Sequence, residues 1–203
     1  MRISTRLGLG ISLALATVLS ACAGESPPRI TSGQYEQLVL AVDPKGRLTG
    51  YFREEQGTGV VKSCVFSVSG QGKEGEFPIV SWSDRAFPGT LKANKSGVTL
   101  KIPKGREHPG CGLVLLPQIA DGLEFDRVSA ANWYEFRKIS SARAQFYSAP
   151  DPSRVQRAYV VSGDVVGVVA SSGKWLEVDY QGKQASIKGW ILASDTVPLT
   201  PPE

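Results

Sequence analysis

YEQLVLAV (35–42), LTGYFREE (48–55) and SCVFSVSG (63–70) are short runs rich in Val, Phe and Tyr, set between glycines. Three more succeed them: FPIVSW (77–82), GVTLKIP (97–103) and GLVLLP (112–117). Apolar, β-branched and aromatic residues in runs this short, bounded by turn formers, read as strands. Gly and Pro interrupt every window long enough for a helix, and none carries a sustained apolar stripe at 3.6 spacing. The chain is therefore expected to be all-β, with two small antiparallel β-barrel or sandwich domains. The first unit, residues 33–138, has enough runs for one such barrel.

The C-terminal part repeats the pattern on a smaller scale. Val165, Val166, Val168 and Val169 form a β-branched run suited to a strand. In KWLEV (174–178), alternation puts Leu176 and Val178 on one face and Trp175 and Glu177 on the other.

Residues 140–195 also resemble a bacterial Src-homology-3-like domain. The likeness is carried by FYSAP (146–150), by GDVV (163–166) at a turn entering a strand, by KWLEV (174–178) and by GWI (189–191), in the family's order. It implies that residues 140–197 form a small barrel that binds peptidoglycan or a short peptide through an aromatic groove. Tyr147, Tyr159, Trp175 and Trp190 are the candidate ligand-binding residues, since such rings combine large contact area with a polar tip. Where many members of the family carry an arginine close before the proline turn, this chain has Gln145-Phe146-Tyr147. The first unit is assigned to no family. Its rhythm of GYF (50–52), CVF (64–66), FPGTL (87–91) and GCG (110–112) is loosely similar to small exported β-domains such as periplasmic lysozyme inhibitors and toxin immunity proteins.

At the N-terminus, MRISTR carries Arg2 and Arg6 and precedes LGLGISLALATVLSA (7–21), the order of charged, apolar and small-residue regions of a secretory signal. The apolar stretch is short of the about 20 residues that span a bilayer. Leu19-Ser20-Ala21-Cys22 resembles the lipobox of bacterial lipoproteins. That resemblance implies removal of residues 1–21 as a signal peptide and acylation of Cys22 as a membrane anchor, of the palmitate-bearing kind, beyond the marginal hold of a single acyl chain. Ala23 stands where an aspartate would resemble an inner-membrane retention signal, so the expected location is the cell envelope, at the outer membrane and facing the periplasm. Residues 22–32 then read as the lipidated cysteine and a tether.

Cys64 and Cys111 are left as an even pair in an oxidising compartment, so a disulfide is expected. Without Arg2 and Arg6 the formal charge falls from +4 to +2, which gives no footprint for nucleic acid. The single histidine, His108, lies in the loop-like stretch PKGREHPGCG (103–112) and is expected at the surface. No GxSxG elbow accompanies it, and no metal-binding spacing occurs. Glu124, Asp126, Glu177 and Asp179 are the acids that two-carboxylate chemistry would have to bring together, and of these Glu177 and Asp179, two apart on a strand, are expected to share a solvated face rather than to be apposed in a cleft. The tail VPLTPPE (197–203) is expected to be disordered past Val197.

Together these observations predict no catalytic residues, no metal and no cofactor. They predict a lipid-anchored binding module of the envelope whose partner is peptidoglycan or an envelope protein or peptide. The alternative expectation is a periplasmic inhibitor or immunity protein that blocks a wall-degrading or membrane-acting toxin.

Overall fold

The computed structural model describes residues 28–73, 75–182 and 186–202. Cys22 and the rest of the signal and lipobox lie outside the described residues. The chain is all-β, as expected: a closed eight-stranded barrel is followed by a curled seven-stranded sheet, every pairing antiparallel. The barrel strands are β1 (Gly33–Tyr35), β2 (Leu38–Val42), β3 (Arg47–Gln56), β4 (Lys62–Gln71), β5 (Glu76–Trp82), β6 (Ala86–Ala93), β7 (Gly97–Lys101) and β8 (Leu123–Ala130). They pair in chain order, and β8 closes back on β1 with Gly33 opposite Ala130, which leaves no free edge.

Alternation along β3 and β4 turns Leu48 and Phe52, and Cys64, Phe66 and Val68, into the barrel. Phe52 stacks on Phe66 with ring centroids 5.0 Å apart. The run LVLAV of β2 does not alternate because both of its faces are covered: Leu38 and Leu40 fill the barrel, while Val39 and Ala41 lie under the second unit.

Cys64 and Cys111 are bonded, with Cα atoms 4.4 Å apart, both fully buried. Cys111 does not precede a strand. GLVLLP, read from its composition as one, forms 3-10 turns at Cys111–Leu113 and Pro117–Ala120. The reason lies in its burial: Val114 and Leu115 are buried side by side while Leu113 and Leu116 are exposed, a pattern a strand cannot make. Gly110 allows this turn, because its φ of 79° is left-handed and a Cβ there would collide with the Ser63 carbonyl of β4.

The second sheet comprises β9 (Glu135–Ile139), β10 (Arg143–Tyr147), β11 (Val155–Val161), β12 (Val165–Ser172), β13 (Trp175–Gln181), β14 (Ser186–Leu192) and β15 (Thr196–Pro198), in the order β11-β10-β14-β13-β12-β9-β15. Its inner face packs Phe146, Val160, Val166, Val168, Leu176, Val178 and Ile191 into a separate core. The seam between the units differs from the expected one. The barrel ends at Ala130, and residues 135–138, read as its last stretch, belong to β9 and pair with β12 and β15.

A third apolar cluster joins the two units. Trp133 and Phe136 pack on Val39, Ala41 and Trp82 of the barrel's outer surface. Tyr51 meets Phe136 edge to face at 5.4 Å, and the Phe136 N–H donates to Thr49 Oγ1 at 2.8 Å. Trp133 lies flat on β12 at Gly167, where a Cβ would stand 2.6 Å from the indole. Two segments expected to be free are drawn in. Ile30, assigned to the tether, is buried in the barrel core, and Leu199, assigned to a disordered tail, is 5% exposed in the joining cluster. A lone apolar side chain in a polar, proline-rich stretch gives no local pattern, so only the groove that receives it reveals its burial.

Candidate binding face

Cross-strand pairs in an antiparallel sheet point to the same side. Tyr147 of β10 pairs with Trp190 of β14, which pairs with Glu177 of β13, and Trp175 is two residues from Glu177. Tyr147, Trp175 and Trp190 therefore share the outer face of β10-β14-β13, opposite the core. The rings of Tyr147 and Trp175 meet edge to face at 4.8 Å. Tyr147 and Trp190 are half-buried, whereas Trp175 is only 6% exposed. Trp175 is thus the floor of the face, and its neighbours are the accessible rings.

Tyr159 lies one strand further out, on the edge strand β11, and is 48% exposed. The Arg143 guanidinium sits 3.9 Å from its ring centroid, a cation–π contact that covers the ring. Gln145 donates through Nε2 to the carbonyls of Gln156 at 2.6 Å and Ala158 at 2.7 Å. Its amide is thus committed to backbone at the irregular β10-β11 pairing.

His108 stands elsewhere, and its position corrects the surface reading. The ring is 1% exposed, stacked on Phe66 at 4.9 Å and met edge-on by Phe87 at 4.8 Å. Nε2 lies 3.0 Å from Ser81 Oγ, and Nδ1 lies 3.1 Å from Ser83 Oγ. Ser81 Oγ donates to the Phe87 carbonyl, so it accepts from Nε2–H, and the one Ser83 hydroxyl proton has two acceptors in reach, Nδ1 and, at 3.3 Å, Asp84 Oδ1. The ring thus has a hydroxyl partner at each nitrogen. Burial pushes its pKa down from 6.5 to about 4, with Asp84 opposing and Arg85 adding.

The buried ring makes stability depend on pH. Because the folded pKa lies below the unfolded one, the unfolded chain takes up the proton first as pH falls. The stability contributed by the neutral ring is complete above pH 6.5 and is lost between pH 6.5 and about 4. Urea midpoints measured across that window should fall by the equivalent of about 2–3 kcal/mol, and His108→Gln should flatten the slope. Equal slopes in both proteins would show that the ring is not the titrating group.

Asp179 also departs from the solvated reading. Its side chain is 8% exposed, and Oδ1 accepts from Gln181 Nε2 at 2.9 Å and from Ser186 Oγ at 2.8 Å, while Lys188 Nζ lies 3.8 Å from Oδ2. It pairs with Lys188 in the ladder and lies on the Trp175 face of β13, where it enters a cleft of about 370 Å³ between the two units. Strand periodicity gives the face of Asp179 correctly but carries no sign of what covers that face. Glu124 and Asp126 are exposed on β8. Among the described residues, no three His, Cys, Asp or Glu side chains are grouped to hold a metal ion.

No family model, no curated protein and no solved structure matches the chain. Fold and face define a class by themselves: a disulfide-bonded β-barrel joined to a curled β-sheet that displays clustered aromatic rings on its outer side.

Proposed function

We propose that this protein is a lipid-anchored, non-enzymatic binding module of the bacterial envelope. In this reading Cys22 carries the acyl chains at the outer membrane, and the second sheet acts as a Src-homology-3-like unit facing the periplasm, engaging peptidoglycan or an envelope protein or peptide. The observation that carries the reading is the grouping of Tyr147, Trp175 and Trp190 on one outer face. Aromatic rings set with one side on protein and one toward solvent offer rigid contact area at low entropic cost. Two-point attachment, through lipid and face, would raise the effective concentration of the module at the wall.

The test is co-sedimentation of the polypeptide from Ala23 to Glu203 with purified sacculi, beside Trp190→Ala. Trp190 is preferred to the buried Trp175, whose truncation would also cost folding stability. Wild-type sedimentation that the substitution lowers at least fivefold supports wall binding through this face. Absence of sedimentation removes the wall as partner, and a tight equimolar complex with a wall-degrading or membrane-acting toxin would instead establish the inhibitor or immunity reading.

A further inference from the structure

The outer face of the β13–β14 pair does not stop at its aromatic end. Its rungs run Trp175 with Leu192, Glu177 with Trp190, Asp179 with Lys188, and Gln181 with Ser186. The last two enter the inter-unit cleft, whose opposite wall is the barrel rim at Gln34 and Ser129 and the joining residue Asn132, with Trp133 between. At about 3.3 Å per residue, the distance from Trp190 to Ser186 is roughly 13 Å. Aromatic and polar ends thus form one line along a rigid pair of strands.

We infer that this line is a binding track for a linear, uncharged oligosaccharide, with its polar end in the cleft between the two units. The chemistry of the cleft selects that class. Asn132 and Ser129 carry groups that both donate and accept, while Ser186 Oγ, whose proton goes to Asp179, and the amide oxygens of Gln34 and Gln181, whose Nε2 groups donate to the Glu36 carbonyl and to Asp179, add acceptors. Sugar hydroxyls both donate and accept, so such a lining matches them from either side. Among the described residues of the cleft, Asp179 is the single carboxylate and stands against the single ammonium, that of Lys188. Its Oδ1 is held by Gln181 and Ser186 and its Oδ2 faces Lys188, so it is a fixed acceptor rather than a counter-charge for a cation. In the cleft a phosphate or carboxylate ligand would meet Asp179 with like charge, and the Lys188 ammonium there already faces that carboxylate. The volume of about 370 Å³ lies in the range of small-ligand sites, about 300–1,000 Å³. At the other end, the half-buried rings of Tyr147 and Trp190 offer apolar surface to the flat face of a pyranose. The inference rests on the envelope-binding reading only for this aromatic end; the cleft stands on its own residues.

The experiment is a titration of the ¹⁵N-labelled polypeptide from Ala23 to Glu203 with tri-N-acetylchitotriose to about 10 mM, which reaches weak single-site affinities. A short lysine peptide and inorganic phosphate are run beside it. Expected are saccharide-dependent shifts at Asn132, Gln181 and Ser186, at least tenfold weaker binding in Asp179→Asn, and a several-fold loss in Asn132→Ala. Asp179→Asn keeps an acceptor for Gln181 and Ser186, and Asn132 lies at the cleft rim outside both cores, so both variants should retain the wild-type spectrum elsewhere. No shifts with the trisaccharide, stronger binding of the peptide or phosphate, or affinity unchanged in both variants would overturn the track. If sacculi are still bound while the trisaccharide is not, the track falls and the envelope-binding reading stands. If the trisaccharide binds and sacculi do not, the track stands and the wall reading falls.

Discussion

Replacing Cys64 and Cys111 together with alanine is expected to lower the stability of the protein by about 4 kcal/mol. The bond links residues 47 apart in sequence, so it closes a loop that contains all of β5, β6 and β7. In the chain-entropy account, opening a loop of that length returns about 4 kcal/mol of conformational freedom to the unfolded chain. The folded side adds to this cost, because both cysteines are fully buried in the barrel core beside Phe66 and Val114. Urea unfolding would read the loss as a lower midpoint, with a slope that rises because the unfolded chain, freed of its cross-link, exposes more surface. Wild-type protein unfolded and refolded in excess dithiothreitol should match the variant, since the buried sulfurs are reached by reductant only when the barrel opens. A loss below about 1 kcal/mol would mean that strands β3 and β4, paired from Arg47↔Gln71 to Gln56↔Lys62, hold the barrel without the bond.

Truncating Phe136 is the second large effect, and it reads the coupling of the two units. The side chain is fully buried between Tyr51 at 5.4 Å and Trp133 at 5.2 Å, on a strand of the second sheet but against the outside of the barrel. Phe136→Ala should cost about 3–5 kcal/mol by the cavity it leaves. The cost falls on the joining cluster and not on either unit's own core, so calorimetry should show one thermal transition in the wild type and two in the variant. A single transition at lower temperature would mean that neither unit stands alone, and an unchanged midpoint would mean that the cluster contributes nothing to stability.

The strands were legible because their evidence is local. GYFRE and CVFSV carry the alternation that a half-buried sheet requires, and Val165 to Val169 carry the β-branching. The disulfide was legible because a compartment reading and an even count of remaining cysteines leave one partner each. The likeness at residues 146–150, 174–178 and 189–191 picked out rings of which Tyr147, Trp175 and Trp190 do come together, while Tyr159 stays at the sheet edge under Arg143. GLVLLP misled because apolar composition without alternation fits a buried turn as well as a strand. The seam at Ala130 was obscured because β9 reads like any other strand, and its partners β12 and β15 come later in the chain.

What the sequence by itself determined is the kind of element most segments make and which side chains share a face, since both depend on backbone geometry over a few residues. What only the tertiary structure decided is what lies across from each face. His108 has Phe66, Phe87 and two serines around it, Asp179 has a cleft wall from the barrel, Leu199 has Trp82 and Phe136 in its cluster, and Val39 has Trp133. Each of these partners comes from another element of the fold. Desolvation, which sets the imidazole pKa, depends on that cover and not on the residue's immediate neighbours in the chain.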